Sequence, residues 1–252
     1  MPGDARRPID RPSLLVPHHR LGRIDVSFDL PLVSPVLVGR SAPLAGLERV
    51  LGEVAKGHGQ TVLIGGEAGI GKSRLVAAAR TRGERLGFTI LEGFCFEPDG
   101  VLPYAPFRDL LRTRSGALAP DGLALEFGSA VPEIAQLLPE LAALLPGFSP
   151  TRVHPEQEKH RVVHALDRYV AGLAAARPTL VVLEDLHWSD EASLDLLLSL
   201  ARKTATRPLL LMLTYRTDEA HLGLRHFLAE LDRGRLATEL PLTPLSVGEV
   251  GE

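Results

Sequence analysis

Cysteine, aromatic side chains and long apolar runs are all scarce in this sequence of 252 residues. Cys95 is the one cysteine, which excludes an internal disulfide and a zinc site built from several cysteines. The longest uncharged run, residues 141–151, is interrupted by prolines and is too short for a transmembrane helix, which needs about 20 apolar residues. The N-terminus lacks the apolar core of a secretory signal. A soluble protein in the reducing setting of the cytoplasm, away from membranes, is therefore expected.

An excess of positive charge is also missing. The net charge is −3 and the isoelectric point is about 6.3, so the chain lacks the basic surface of a dedicated nucleic-acid-binding domain. Prolines recur in residues 1–34 without any sustained hydrophobic period, which predicts a mostly disordered leader. This leader has a slight basic excess, and a solvated tail is favoured over an arm that touches phosphates.

From residue 35 onward, short apolar runs alternate with segments of helical spacing. The apolar runs predict strands at 61–64, 88–94, 180–183, 209–213 and 237–240. The helical spacing predicts amphipathic helices within 44–54, 72–86, 162–173 and 194–201. This alternation predicts an α/β fold with a mostly parallel sheet of about five strands flanked by helices. A leucine-rich stretch divided by prolines predicts a helical insertion around residues 103–150.

A glycine-rich run joins the first predicted strand to the helix that follows it. The run matches the phosphate-binding pattern GxxxxGK(S/T) in full: Gly66-Glu67-Ala68-Gly69-Ile70-Gly71-Lys72-Ser73. Its glycines let successive N–H groups converge on a phosphate, and the helix adds its positive end. Lys72 is expected between the β- and γ-phosphates, with Ser73 as a Mg²⁺ ligand. The run, extended to Arg74, predicts that ATP binds with Mg²⁺ in a P-loop NTPase.

Charged residues follow two of the predicted strands. Glu184 and Asp185 come directly after the strand at 180–183, so their carboxylates fall at the carboxyl edge of the sheet, where such folds bind ligands. One acid is expected to hold Mg²⁺ and the other to polarise the attacking water. Arg216 follows the strand at 209–213 and is placed to reach the γ-phosphate, the alternative being a surface arginine at the start of a loop.

Several motifs occur here in one order: Val38-Gly39-Arg40, the P-loop, Leu183-Glu-Asp-Leu-His-Trp-Ser-Asp190 and Thr214-Tyr-Arg216. Together they resemble the ATPase module of the STAND class of AAA-related P-loop proteins. The similarity is greatest to the origin-recognition-like AAA module of the large ATP-binding LuxR-family transcriptional regulators. It covers about residues 35–246 and includes the run Leu102-Pro-Tyr-Ala-Pro-Phe107.

The resemblance implies roles for individual residues. The motif Val38-Gly39-Arg40 falls beside the adenine and ribose. Glu184 falls on the acid directed at Mg²⁺ and joins Ser73 as a metal ligand. Asp185 falls on the water-polarising acid and Arg216 on the sensor position, which makes these two residues, with Lys72, the expected catalytic groups. The pair at 187–188, His and Trp, matches a pair of the family, and packing is the favoured role for the tryptophan.

The sequence also departs from the family pattern. Ser41 stands where the module often has a glutamate, and the Glu184-Asp185 order leaves open how these two acids divide their work. Residues 247–252 are expected to be the start of a helical lid, cut short before the winged helix, repeats and helix-turn-helix of the family. On this expectation a second sensor carried by the lid is missing as well.

Two hypotheses on function follow. The first is a Mg-ATP-binding, weakly hydrolysing nucleotide switch module of a LuxR-type regulator; the second is a nucleotide-binding interaction module without significant turnover. An origin-recognition-like, DNA-associated ATPase is disfavoured by the acidic balance of the chain. The expected ligands are ATP and ADP with Mg²⁺, and the expected protein partner is a second copy or a regulatory protein. Specific DNA binding by this chain alone is not expected.

Overall fold

The computed structural model describes residues 39–97, 102–142, 155–240 and 242–244, all within the unit Val36–Glu252. The predicted leader at 1–34, Val38, residues 143–150 of the predicted insertion and the predicted lid start at 247–252 lie outside the described residues.

The described residues form strands and helices in alternation. The strands are β1 (Gln60–Gly65), β2 (Thr89–Phe94), β3 (Thr179–Glu184), β4 (Leu209–Tyr215) and β5 (Thr238–Glu239). The α-helices are α1 (Ser41–Ala55), α2 (Lys72–Arg85), α3 (Ala105–Gly116), α4 (Pro120–Phe127), α5 (Val131–Leu137), α6 (Pro139–Ala142), α7 (Pro155–Ala176), α8 (Glu191–Thr204) and α9 (Leu222–Arg233). Short 3₁₀ turns occupy Gly128–Ala130 and Leu186–Trp188.

The strands form one sheet in the order β2-β3-β4-β1-β5, and every neighbouring pair is parallel. Parallel neighbours cannot be joined by a tight hairpin, so helices cross over between them. Every residue of β3 and β4 is buried, as expected of central strands covered on both faces. The predicted α/β class, with its parallel sheet of about five strands flanked by helices, is confirmed.

Alternate side chains of the sheet enter two separate cores. Leu180, Val182 and Met212 pack with side chains of α1 and α2 on one face. Val181 and Leu213 face the opposite core, which is filled from α3 to α5 and from α7 to α9. The sheet is therefore the middle of three layers, and the carboxyl ends of its strands meet at one edge.

The helical insertion begins close against β2. At Gly93, a Cβ atom would lie 2.3 Å from the carbonyl oxygen of Pro106, so only glycine allows α3 to approach this strand. Pro120, Pro132 and Pro139 lie in the first turns of α4, α5 and α6, where the missing N–H has no helical partner to lose.

Helix α9 was not among the predicted helices, and the edge strand β5 is shorter than the predicted 237–240. None of the helices in the described ranges is long and apolar enough to span a bilayer.

Candidate nucleotide-binding site

The glycine-rich run forms the turn between the end of β1 and the start of α2. Gly66, Gly69 and Gly71 have φ values of 156°, 74° and 104°, which residues with a side chain rarely adopt. A Cβ atom on Gly66 would also lie 2.9 Å from the carbonyl oxygen of Leu242 and 3.0 Å from a side-chain carbon of Ile70. Backbone conformation and close approach therefore both require glycine at this position.

The first residue of α2 is a buried lysine. Lys72 is 7% exposed, and its Nζ donates hydrogen bonds to the carbonyl oxygens of Gly66 and Glu67, each at 2.8 Å. Burial lowers the pKa of the Lys72 ammonium, while the nearby charge of Asp185 acts in the opposite direction. The side chain thus folds back over the mouth of the loop, with its charge where phosphate oxygens are expected.

Ser73 and Glu184 are in direct contact. The Ser73 hydroxyl donates to Oε2 of Glu184 at 2.6 Å, although these residues lie on different elements, α2 and the end of β3. Glu184 is 7% exposed, and this burial raises its pKa; the bond from Ser73 lowers the pKa, and the charge of Asp185 raises it. Hydroxyl and carboxylate oxygens are hard ligands that suit Mg²⁺, so this pair fits the predicted ion.

The chain turns sharply after β3. Asp185 has a φ of 62°, in the left-handed region that non-glycine residues seldom occupy, and its backbone N–H donates to the Thr214 hydroxyl at 3.0 Å. Its side chain is 39% exposed. The turn therefore presents the Asp185 carboxylate to solvent at the sheet edge, while Glu184 stays buried.

A buried imidazole lies between two acids beyond this turn. The ring of His187 is fully buried, with Nδ1 3.9 Å from Oδ1 of Asp185 and Nε2 3.4 Å from Oε2 of Glu219. Within the described part of the chain, neither ring nitrogen has a hydrogen-bond partner. Burial lowers the pKa of His187, and the two acids act against that shift. The ring therefore lies between Asp185 and the loop after β4 without a hydrogen bond to either acid.

That loop holds Arg216, the predicted sensor. Its Nη1 donates to Oε1 of Glu219 at 2.6 Å, and its side chain is 32% exposed. The positive charge of Arg216 acts on the pKa values of both Lys72 and His187, lowering each. The structure thus brings Lys72, Ser73, Glu184, Asp185 and Arg216 to one edge of the sheet, while their roles toward a ligand stay predictions.

Comparison with protein families agrees with this geometry: residues 36–212 match the family model of the AAA ATPase domain. The chain belongs to the AAA ATPase domain family. It is 29% identical over 213 residues to an uncharacterized protein of Rhizobium meliloti strain 1021, a match covering 80% of this chain and 20% of that protein. The AAA chain therefore spans about a fifth of the length of this curated relative.

Two solved structures are similar to part of this chain. Cdc6p from Pyrobaculum aerophilum is 15% identical, with a TM-score of 0.49 over 84% of this chain and 47% of that one. A Signal Transduction ATPase with Numerous Domains from Pyrococcus horikoshii, which has a tetratricopeptide repeat sensor, is 17% identical, with a TM-score of 0.36 over 80% of this chain and 23% of that one.

Residues 38–40 of this AAA domain, which are expected beside the adenine and ribose, differ in what the structure shows of them. Val38 lies outside the described residues, and Gly39 is half-buried with a φ of 66°. Arg40 is 8% exposed and donates to the carbonyl oxygens of Thr243, at 2.8 Å, and Ile70, at 3.0 Å. Both of its terminal nitrogens are thus bound to backbone, and a contact with adenine or ribose stays a prediction.

The other predicted ligand residues lie around the loop mouth. Glu67, Ala68 and Gly69 are exposed at the tip of the loop, and Arg74 is exposed in the first turn of α2. These residues are therefore accessible to a ligand at the loop, although the carbonyl of Glu67 accepts from Lys72.

Asp190, the last residue of the motif at 183–190, lies at the start of α8. It caps α8, because its carboxylate accepts from the N–H of Ser193 at 2.9 Å and from its hydroxyl at 2.5 Å. The same carboxylate accepts from the N–H groups of Tyr104 and Ala105 at 3.2 and 3.3 Å. The Asp-x-x-Ser spacing indicates the cap, but no sequence pattern indicates the link to α3.

Trp188 is half-buried against the core, with its ring centroid 5.2 Å from that of His187. This placement agrees with a packing role for the tryptophan beside the buried imidazole.

Proposed function

We propose that this AAA domain is a Mg-ATP-binding, weakly hydrolysing nucleotide switch module. The observation that carries the proposal is the 2.6 Å contact between Ser73 and Glu184, directly beside the loop that holds the Lys72 ammonium. A hydroxyl, a carboxylate and an ammonium converge there from α2 and β3. This is the set of groups that P-loop proteins use for a nucleotide phosphate and its magnesium ion.

Nucleotide binding requires an exchange of partners. The ammonium of Lys72 would leave the carbonyl oxygens of Gly66 and Glu67 and bind phosphate oxygens, while N–H groups of the loop and the N-terminus of α2 hold the same phosphates. Ser73 and Glu184 would hold Mg²⁺. The ion, when bound, neutralises charge on the β- and γ-phosphate oxygens.

Hydrolysis would be the attack of a water molecule on the γ-phosphorus, with the bond to the β-γ bridging oxygen breaking to give ADP and phosphate. Asp185 is the acid exposed to solvent at the turn, so it is placed to orient and polarise that water. His187 lies between Asp185 and Glu219, with ring nitrogens 3.9 Å and 3.4 Å from their carboxylate oxygens.

The charge pairing of Arg216 also bears on the rate of turnover. A cation near the γ-phosphate stabilises the transition state only when it is free to turn toward the phosphate. Arg216 is bound to Glu219 at 2.6 Å, so this ion pair has to open before the arginine can act. A nucleotide-binding module without significant turnover is the limiting case in which the pair never opens.

The larger protein that this module serves is also part of the proposal. The order of the motifs resembles the LuxR-type regulators, and the curated relative is about five times longer than the matched region. We infer a cytoplasmic regulator whose nucleotide state controls self-association or contact with a regulatory partner. Light scattering of the chain with Mg-ATP and with ADP tests self-association, and capture of a partner by each nucleotide state tests partner contact. The same mass in both states, with no partner captured in either, contradicts the proposal.

Binding is tested by thermal unfolding with Mg-ATP. At about 100 times Kd, a ligand adds roughly 2.7 kcal/mol to the free energy of unfolding, on the order of 5–10 °C in Tm for a domain of this size. Lys72→Ala is expected to abolish most of this shift, because the phosphates lose their buried ammonium. An unchanged shift in the Lys72→Ala protein would rule out the P-loop as the binding site.

Turnover is tested by steady-state phosphate release. Asp185→Asn is expected to bind Mg-ATP as the wild type does but to release phosphate at least about tenfold more slowly, because an amide is a poor acceptor for the proton of water. Equal, background-level release by the two proteins would favour the interaction module without turnover.

A further inference from the structure

We infer that Arg40 is a positioning residue that clasps the P-loop to the segment 242–244 and couples nucleotide occupancy to that segment. The inference rests on the proposed function, since it concerns the same phosphate-binding loop. It differs from the contact with adenine and ribose that the family resemblance implies for this arginine.

The first observation is the pair of hydrogen bonds made by the guanidinium. Nη2 donates to the carbonyl of Ile70, which is 30 residues away along the chain, and Nη1 to that of Thr243, which is 203 residues away. Arg40 itself is 8% exposed. A planar guanidinium offers its donors in a fixed fork, so a single buried side chain can hold two backbone segments at a set distance.

The second observation is that the segment 242–244 already contacts the loop. The N–H of Leu242 donates to the carbonyl of Gly65 at 2.9 Å, and the side chain of Leu242 is buried. Its carbonyl oxygen lies so near Gly66 that a Cβ atom there would be 2.9 Å away. The segment therefore runs alongside the start of the P-loop. Arg40 adds a second connection between them, because it binds both Thr243 and Ile70.

The peptide unit between Ile70 and Gly71 connects Arg40 to the phosphate-binding loop. A trans peptide is planar, so its C=O and N–H point in opposite directions. When Arg40 holds the carbonyl of Ile70, the N–H of Gly71 points away from Arg40. Gly71 has a φ of 104° and precedes Lys72, at the point where loop N–H groups converge on a phosphate. Arg40 thus fixes the direction of one phosphate-binding N–H without touching the ligand.

This geometry separates the clasp from a base contact. A residue that touches adenine or ribose affects ATP alone, whereas a residue that orients the loop affects every ligand with a polyphosphate chain. The clasp also predicts that ligand in the loop slows the exchange of the Leu242 N–H, because Ile70, Arg40 and Thr243 connect the two segments.

The first experiment measures the Kd of the full chain for Mg-ATP and for magnesium tripolyphosphate. Arg40→Ala is expected to weaken both ligands by about tenfold or more and by the same factor, as loss of a charge-assisted hydrogen bond would. Arg40→Lys is expected to recover part of both losses, since an ammonium can still donate to one carbonyl. Arg49→Ala, which removes an exposed arginine from α1, the helix that follows Arg40, is the control and should change neither Kd.

A loss confined to ATP, with tripolyphosphate unaffected, would assign Arg40 to the base and overturn the clasp. A lower Tm of the Arg40→Ala protein with both Kd values unchanged would reduce Arg40 to a purely structural residue and would overturn the clasp as well. If Arg40→Ala does not fold, the same two ratios are read from Arg40→Lys.

The second experiment follows backbone amide exchange with and without saturating Mg-ATP. In the wild type, both the loop 66–73 and the Leu242 N–H are expected to gain protection. In Arg40→Ala the loop should still gain protection while Leu242 no longer does. Protection of Leu242 that persists in the variant overturns the coupling. Absence of ligand-dependent protection in the wild-type loop overturns the proposed function itself, and the coupling with it.

Discussion

The buried carboxylate of Glu184, which accepts a hydrogen bond from Ser73, is the predicted site of a cation. Glu184 is 7% exposed, and burial raises its pKa, so its negative charge is costly until a positive partner arrives. Ser73, which is exposed, satisfies one of its oxygens in the meantime. An incoming Mg²⁺ would replace the hydroxyl proton as the partner of that oxygen, which explains why the two predicted metal ligands touch each other.

Glu184→Gln is accordingly expected to lower the Mg²⁺ dependence of ATP binding. Glutamine keeps the size of the side chain and can still accept from Ser73, but it brings no charge to the ion. We expect the ratio of Kd in EDTA to Kd in Mg²⁺ to fall about tenfold relative to the wild type, equivalent to the loss of one charge-assisted interaction. Isothermal titration of ATP with each protein, with and without EDTA, measures this ratio.

Glu92→Gln is the matched control for this titration. Glu92 lies on the neighbouring strand β2 and binds Arg80 at 3.1 Å, so its removal changes the local charge without changing a predicted metal ligand. A reduced Mg²⁺ dependence in Asp185→Asn and not in Glu184→Gln would show that the two acids have exchanged roles.

At the scale of elements, Asp190 connects α3, the first helix of the insertion, to α8. Asp190 is 8% exposed. Its carboxylate caps α8 and also accepts hydrogen bonds from the N–H groups at the start of α3. Asp190→Ala leaves these buried donors without a partner and is expected to lower the free energy of unfolding by about 1–3 kcal/mol. At about 2–4 °C per kcal/mol, thermal unfolding resolves this change.

Two milder variants separate the contributions of Asp190. Asp190→Asn keeps an acceptor oxygen and should lose less stability than the alanine variant, while Ser193→Ala removes only the hydroxyl that donates at 2.5 Å. A Tm for Asp190→Ala equal to that of the wild type would show that α3 and α8 hold their positions without this link.

A second link between elements depends on pH. Asp167 of α7 accepts hydrogen bonds from Lys203 at 2.9 Å and from Arg207 at 2.6 Å. Burial raises the pKa of Asp167, but the bonds from Arg207 and Lys203 outweigh it and the net pKa is lowered. A lowered pKa in the folded state means stability that is present above the unfolded value of 3.8 and is lost as the pH falls through the folded value.

Asp167→Asn is therefore expected to cost about 1–3 kcal/mol at pH 7, because two cations lose the charge of a buried partner. The difference from the wild type should stay constant down to about pH 5 and shrink below about pH 4. Urea unfolding across this range measures it. Asp195→Asn removes an exposed acid paired with Lys159 and should cost at most about 1 kcal/mol. A pH-independent loss in Asp167→Asn would contradict the ionic origin of this link.

The elements that could be predicted from the sequence are those whose pattern is local. Strands β1 to β4 have short apolar runs and helices α1, α2, α7 and α8 have sustained helical spacing, and the structure confirms these elements. Helix α9 was missed although Leu224, Phe227 and Leu231 are buried at helical spacing, because Gly223 weakens the propensity of its first turn. The order of strands could not be predicted, since pairing joins segments that are far apart in sequence.

The same distinction holds for the candidate site. The P-loop is contiguous, so its residues could be found from spacing alone. The acids at the end of β3 could be placed at the sheet edge by the fold. The partners of Arg40 and Asp190 could not be predicted. Arg40 binds Thr243 across 203 residues, and Asp190 binds Tyr104 across 86, with no sequence pattern in common.

At the scale of the whole molecule, the layered fold explains why the site is open at one edge. Helices cover both faces of the sheet, so the carboxyl edge is where polar groups from several strands meet solvent. Lys72, Asp185 and Arg216 all belong to that edge. The charge of Asp185 raises the pKa of Lys72, and the charge of Arg216 lowers it. A phosphate bound at this edge would lie near the cations Lys72 and Arg216.

The overall charge leads to a prediction about DNA. Specific DNA binding needs an element that reads base edges in a groove, supported by several phosphate contacts. The net charge of −3 opposes such contacts, and the slight basic excess lies within residues 1–34. We therefore expect no sequence-preferring DNA binding at physiological salt, and only weak, salt-labile binding at low salt through residues 1–23. Fluorescence anisotropy with DNA duplexes of different sequence, on the full chain and on a variant without the leader, measures both. Binding by the shortened chain that discriminates between duplexes would contradict this expectation and add nucleic-acid recognition to the functions of the domain.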